Sequence, residues 1–174
     1  MRLVPFGREH FRTLAAWFAS EPDVVQWGGS FVSYPLDDRQ MDVMLRLGEL
    51  DPPERLCWMA AAGADFVGHA QLAYDWRNGN ARIGRVAIAP DHRGRGLAKP
   101  LLRLVMAQAF ADPAIERLEL YAIAYNRHAV RIYESVGFVH EGEARAAIRI
   151  GGERFGQLTM SMLREEYRQA AAVK

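Results

Sequence analysis

Residues 85–109, RVAIAPDHRGRGLAKPLLRLVMAQA, run from a short β-prone stretch through a glycine- and arginine-rich turn into a long apolar-periodic segment. A chain with this order brings a strand, a tight loop and a helix N-terminus to one point. The first N–H groups of a helix lack intrahelical partners and the helix dipole is positive there, so the point attracts an anion. Gly94 and Gly96 allow positive φ and close backbone approach, while Arg93, Arg95 and Lys99 add cations suited to phosphate oxygens. Pro100 falls in the first helical turn, where its missing N–H costs little. The loop is neither common nucleotide motif: G-x-x-x-x-G-K-[ST] is absent, and the third glycine of the dinucleotide fingerprint is missing. Taken alone it also reads as an exposed basic turn.

Length and charge narrow the possibilities. The 174 residues suit one domain with a sizeable core. The formal net charge of +1 gives no global pull toward nucleic acid, so the basic character is local. Cys57 stands alone, which excludes a disulfide framework and fits a reducing, cytoplasmic setting. The five histidines show no metal-ligand spacing, so no metal is expected. No stretch approaches the roughly 20 apolar residues that span a bilayer, and the first residues lack the apolar core of a signal peptide.

In order, the patterns predict a strand over residues 2–6 and a helix over 8–19, broken by Glu21-Pro22-Asp23. Residues 24–35 read as a loop, or a short helix plus loop, and 36–50 as a helix capped by Asp37 or Asp38. Strands are expected over 55–62, 66–76 and 81–89, the last two joined at Asn78-Gly79, giving three consecutive antiparallel strands. Leu97, Leu101, Val105 and Ala109 mark the buried face of the helix after the loop. A strand over 117–124 leads to a helix with Asn126 as N-cap and Gly137 just past its end. Strands over 138–147 and 155–163 flank Gly151-Gly152, and residues 165–174 read as a frayed tail.

Two segments carry a family resemblance. Arg93-Gly94-Arg95-Gly96-Leu97-Ala98 fits Q/R-x-x-G-x-G/A, and residues 126–138, NRHAVRIYESVGF, fit N-x-x-A-x-x-x-Y-x-x-x-G-F. With both in this order the chain resembles the GNAT superfamily of acyl-CoA-dependent N-acetyltransferases, and residues 141–145, EGEAR, followed by 150–155, IGGERF, resemble the subgroup acting on ribosomal-protein N-termini, polyamines, amino acids or aminoglycosides. The resemblance implies a single α/β domain over residues 1–174, with a central mixed, mostly antiparallel sheet of about six or seven strands and about four helices. It implies acetyl-CoA as co-substrate, an amine acceptor, and no nucleic-acid or membrane partner; homodimers are common in the family. The amides of Gly94, Arg95, Gly96, Leu97 and Ala98 would hold the coenzyme pyrophosphate, with Arg93 and Lys99 alongside. Val86 and Ile88 would pair with the pantetheine arm, and Asn126 would touch the coenzyme. Tyr133 would be the acid for the departing thiolate. A phenol of reference pKa about 10 is protonated near neutrality, as that role requires.

One departure matters. Many relatives carry a glutamate base on the strand before the loop, whereas here the strand reads Ala81-Arg82-Ile83-Gly84-Arg85-Val86, and arginine accepts no proton. Glu119 is the preferred substitute, with Asp75, Glu141 and Glu143 as further candidates. Trp27 and Tyr34, in an aromatic, glycine-containing stretch, are the candidate acceptor-pocket residues. The missing carboxylate leaves a second reading open, a non-catalytic acyl-CoA-binding or regulatory module.

Overall fold

The computed structural model describes residues 1–172. The strands are β1 (Arg2–Pro5), β2 (Arg55–Ala62), β3 (Asp65–Asp75), β4 (Asn80–Ile88), β5 (Arg117–Ile123), β6 (Val139–Ile150) and β7 (Glu153–Leu163). The helices are α1 (Phe11–Ala15), α2 (Glu21–Gly28), α3 (Asp38–Arg46), α4 (Ala98–Ala111), α5 (Arg127–Ser135) and α6 (Arg164–Ala172). The strands form one mixed sheet in the order β1-β2-β3-β4-β5-β7-β6, antiparallel throughout except for the parallel pair β4–β5. This is the α/β arrangement the family resemblance implies, with six α-helices among the described residues where about four are expected.

Each sheet face buries its own cluster. On one side α4 contributes Leu101, Leu102, Val105, Met106, Ala109 and Phe110, two adjacent rows at helical spacing, against Leu72, Ile83, Leu118, Leu120 and Met160. On the other, Phe11, Leu14, Val24, Trp27, Met41 and Met44 from α1–α3 cover Cys57 and Met59.

The N-terminal helices differ from expectation. The run over residues 8–19 is a 3₁₀ turn at Arg8–His10 followed by the short α1. Glu21-Pro22-Asp23, expected to break a helix, instead begins α2. The Ser20 hydroxyl accepts from the Asp23 amide at 3.4 Å and donates to the Asp23 carboxylate at 2.7 Å, with Pro22 in the first turn. Proline there is a starter, not a breaker. Helix α3 is shorter than the expected 36–50 and is capped by Asp37, which accepts from the Gln40 amide at 2.9 Å. The tail expected to fray is helical as α6. The Arg164 guanidinium donates to the carbonyls of Ile115 at 2.8 Å, Phe110 at 3.0 Å and Asp112, and Tyr167 stacks on Phe110 at 4.7 Å. Residues 173 and 174 lie outside the described residues.

One feature of the sheet positions the site. The β4–β5 ladder runs only from Asn80–Arg117 to Ile83–Leu120, after which β4 stays with β3 and β5 stays with β7. The separation coincides with a bulge. Gln71 faces Gly84 and His69 faces Ala87, so Arg85 and Val86 together oppose Ala70. Arg85 takes φ +52°, a left-handed conformation unusual for a bulky residue. Two parallel strands that part toward their C-terminal ends leave a crevice where α/β folds bind ligands.

Candidate active site

The loop that follows β4 and the helix that follows β5 stand on either side of that opening. A 3₁₀ turn at Pro90–His92 leads into Gly94 (φ +75°) and Gly96 (φ +72°), positions at which a side chain would be strained. Among the described residues, the amides of Gly94, Arg95, Gly96 and Leu97 donate to no acceptor, and no side chain caps α4. A cluster of free N–H groups at a helix N-terminus forms an anion cradle. Arg95 and Lys99 are exposed beside it without an acidic partner among the described residues, whereas Arg93 Nε donates to the Ile88 carbonyl at 3.2 Å and ties the loop to its strand. Val86 and Ile88 lie half-buried on the part of β4 that has left β5.

Across the opening, Asn126 and Gly137 fix both ends of α5. The Asn126 side chain accepts from the Ala129 amide at 3.1 Å, an N-cap that leaves its amide NH₂ available. At the other end Phe138 N–H donates to the Tyr133 carbonyl at 3.1 Å and Gly137 N–H, at φ +104°, to Glu134 at 3.0 Å. This is the Schellman pairing, and the Tyr133–Phe138 ring contact at 6.3 Å supplies its hydrophobic part. The helix therefore holds Tyr133 from its backbone and its ring at once. Burial pushes the Tyr133 phenol up to about 12, so it is protonated at any ordinary pH. Its hydroxyl has no side-chain partner among the described residues.

The other candidates fall in different places. Glu119 lies opposite Arg82 on the half of β5 still paired with β4. Its oxygens sit 3.9 Å from Arg82 and 3.6 Å from Arg117, with the Tyr121 hydroxyl at 3.5 Å. Glu141 is bound bidentately by Arg117 at 2.7 and 2.6 Å and by Ser161 at 2.7 Å, and the Arg117 hydrogen bond leads in holding it down at about 2, too weak a base to be useful. Trp27 is a buried residue of α2, not part of a loop, but it reaches the site: its indole donates to the Arg85 carbonyl at 2.7 Å. Tyr34 is exposed at the surface. Burial lifts the Cys57 thiol to about 12, so no thiolate is at hand there. Among the described residues no three His, Cys, Asp or Glu side chains gather as a metal site.

The sequence signal missed a polar group behind the bulge. The Gln71 amide oxygen accepts from Arg55 at 2.9 Å and from Arg85 at 3.2 Å, which orients its NH₂ toward His69 Nε2 at 3.0 Å and the Met44 sulfur at 3.2 Å. His69 is fully buried, and desolvation, with the Arg85 charge second, lowers it to about 3. It is neutral, with its proton on Nδ1 because Nε2 accepts from Gln71. Three residues on three strands carry this group, and only the sheet register could have revealed it.

The Acetyltransferase (GNAT) family model matches residues 12–138, most of the chain and both segments that build the opening. The chain belongs to the GNAT acetyltransferase family. Among its GNAT relatives is the spermidine N(1)-acetyltransferase of Vibrio cholerae serotype O1, 30% identical over 83 residues, which are 48% of each chain. Another is the mycothiol acetyltransferase of Corynebacterium aurimucosum, 26% identical over 140 residues, 76% of this chain and 44% of that one. The chain thus spans about half the length of the curated relatives it matches. Its fold superposes on the crystal structure of a Vibrio cholerae spermidine N-acetyltransferase in complex with CoA and spermine, with TM-score 0.82, 20% identity and coverage of 96% and 97% of the two chains. No helix of the described residues is long and apolar enough to cross a membrane.

Proposed function

We propose that this chain transfers the acetyl group of acetyl-CoA to an amine by direct attack. The observation that carries the reading is the pairing of unsatisfied amides at 94–97 with Tyr133, one on each side of the β4–β5 opening. The amides and the Arg95 and Lys99 cations take the pyrophosphate, and the pantetheine arm lies along Val86 and Ile88 with Asn126 alongside. The amine nitrogen bonds to the thioester carbon, and a β4 amide receives the oxyanion. Collapse breaks the C–S bond, the sulfur leaving toward Tyr133 and the nitrogen's proton going to solvent. Family membership, and the CoA complex of a neighbour of the same fold, support the cofactor.

Two magnitudes shape the chemistry. Full proton transfer from a phenol at about 12 to a thiolate of ordinary pKa near 8.5 runs uphill by about 5 kcal/mol, so hydrogen-bond donation to the leaving sulfur is the larger effect. Deprotonating an alkylammonium of pKa about 10.4 at pH 7 costs about 4–5 kcal/mol, whereas an α-amino group near 7.7–8.0 costs about 1 kcal/mol. With arginines at 82 and 85 and no carboxylate on β4, the second kind of amine is the easier acceptor.

The same absence is the observation behind a second reading, a module that binds acyl-CoA without turnover. Thiol release from acetyl-CoA with pooled amines, peptides and aminoglycosides separates the two. Acceptor-dependent release supports transfer; tight acetyl-CoA binding without release on any acceptor favours the module.

A further inference from the structure

No step of the acetyl transfer proposed above uses the Arg55–Gln71–Arg85 group. We infer that it receives a carboxylate carried by the acceptor amine, so that this enzyme acetylates acidic amines and not polyamines; the inference rests on the acetyl-transfer reading above. Four observations carry it. Arg55 and Arg85 both donate to one neutral oxygen, that of Gln71, and neither meets a carboxylate among the described residues. Arg55 Nε is a buried donor with no partner among those residues. Arg85 belongs to the bulge that opens β4, directly before Val86, and its guanidinium lies 5.7 Å from the centre of the Trp27 ring. Gly84, on the same sheet face as its register partner Gln71, has nothing apart from its two chain neighbours within 4 Å of where a Cβ would stand, so that face is open at the position next to Arg85.

Two half-buried guanidinium groups without a counter-ion are costly to assemble, and a bound anion would offset that cost. Burial, and in second place the charge of its neighbour Arg55, pull Arg85 down to about 10, and burial pulls Arg55 down as well. The nearby acids do not relieve them. Glu119 is engaged by Arg82 and Arg117, and Glu49, which lines the cleft on the other flank of Arg55, forms no ion pair with it. Planar guanidinium forks match a carboxylate in two-point geometry, and a polycation brought to the same place meets like charge. The pair also helps the reaction. A nearby positive charge disfavours the ammonium form of the bound amine, which lowers the cost of freeing the lone pair where β4 supplies no base. Free amino acids and peptides that open on Asp or Glu are two sources of the same chemistry.

The test measures acetyl-CoA-dependent thiol release on matched pairs: each amino acid against its decarboxylated amine, peptides opening on Asp or Glu against their Asn or Gln counterparts, and spermidine. Acetyl-CoA binding is followed separately by calorimetry. The expected result is at least about a 100-fold preference in kcat/KM for the carboxylate member of a pair, the scale on which a site built for a polar group rejects a partner lacking it. Which pairs show the preference tells amino acid from peptide. Arg85→Gln is expected to collapse that preference mainly through KM, while Arg85→Lys, which keeps the charge but loses the two-point fork, keeps only part of it. Equal or faster turnover of the decarboxylated amines or of spermidine overturns the inference and leaves acetyl transfer standing. Failure to bind acetyl-CoA at all removes the underlying reading instead.

Discussion

Replacing Tyr133 by Phe separates the proposed catalytic role of the residue from its structural one. The ring keeps its contact with Phe138 at 6.3 Å, and both backbone bonds that close α5 remain, because they use the Tyr133 and Glu134 carbonyls and not the phenol. The hydroxyl has no side-chain partner to strand, so the change in folding free energy should stay within about 1 kcal/mol, and the melting temperature should move by no more than roughly 2–4 °C in a chain of this size. A hydrogen bond to a developing thiolate is worth about 1.5–3 kcal/mol, which converts to a loss of about 10- to 200-fold in kcat. Stopped thiol-release kinetics, calorimetric titration with acetyl-CoA and a thermal melt on the two proteins measure all three quantities. A variant with unchanged melting, acetyl-CoA affinity within a few-fold and kcat reduced tenfold or more agrees with the account. Equal kcat values for the two proteins refute it.

Other outcomes follow from the same geometry. Gly94→Ala and Gly96→Ala meet no steric obstacle, since nothing lies within 4 Å of either Cβ position, but both force alanine to φ above +70°. Each should cost about 1 kcal/mol of stability, and a larger share of acetyl-CoA affinity in titration as the cradle amides turn away. Asn126→Ala removes the α5 cap and should lower unfolding free energy in urea by about 1 kcal/mol, along with coenzyme affinity. Glu119→Gln is expected to keep the pH–rate profile because its carboxylate is engaged by Arg82 and Arg117; loss of the acid limb, where a carboxylate base titrates, would mark Glu119 as the base. Stability should fall on both sides of neutrality. His69, lowered to about 3, releases its proton on folding, so its contribution is present above about pH 6.5 and is lost as pH drops toward 3. Cys57 and Tyr133, both raised to about 12, contribute fully below their unfolded values, near 9 and 10, and that contribution is lost as pH climbs to 12. Chemical denaturation across pH 4–11 should show both limbs.

The parts legible in the sequence are those in which the chemistry is local. A glycine at positive φ, an asparagine before a helix and a Gly-Phe closing it act within a few residues of themselves, so the loop at 93–98 and both ends of α5 stand where the sequence places them. Ser20-Glu21-Pro22-Asp23 was equally local, but proline has opposite meanings inside and at the start of a helix, and the Ser20 hydroxyl decides between them. The β6–β7 hairpin runs longer than its apolar pattern suggests because β6 is a largely exposed edge strand with two irregularities in register. What no linear pattern carries is the parting of β4 from β5. It depends on a bulge that moves Arg85 out of register with β3, and with it go the Arg55–Gln71–Arg85 group and the contact of Trp27 with β4.

The central claim is that the loop after β4 grips the pyrophosphate of coenzyme A. Calorimetric titration of the protein with acetyl-CoA and with acetyl-pantetheine, which carries the same thioester and arm but no pyrophosphate or nucleotide, tests it most directly. Charge-assisted bonds to several amides and two cations are together worth more than about 3 kcal/mol, so acetyl-CoA should bind one to one and at least about 100-fold more tightly than acetyl-pantetheine. Equal affinity for the two, or no binding of acetyl-CoA, would contradict the account.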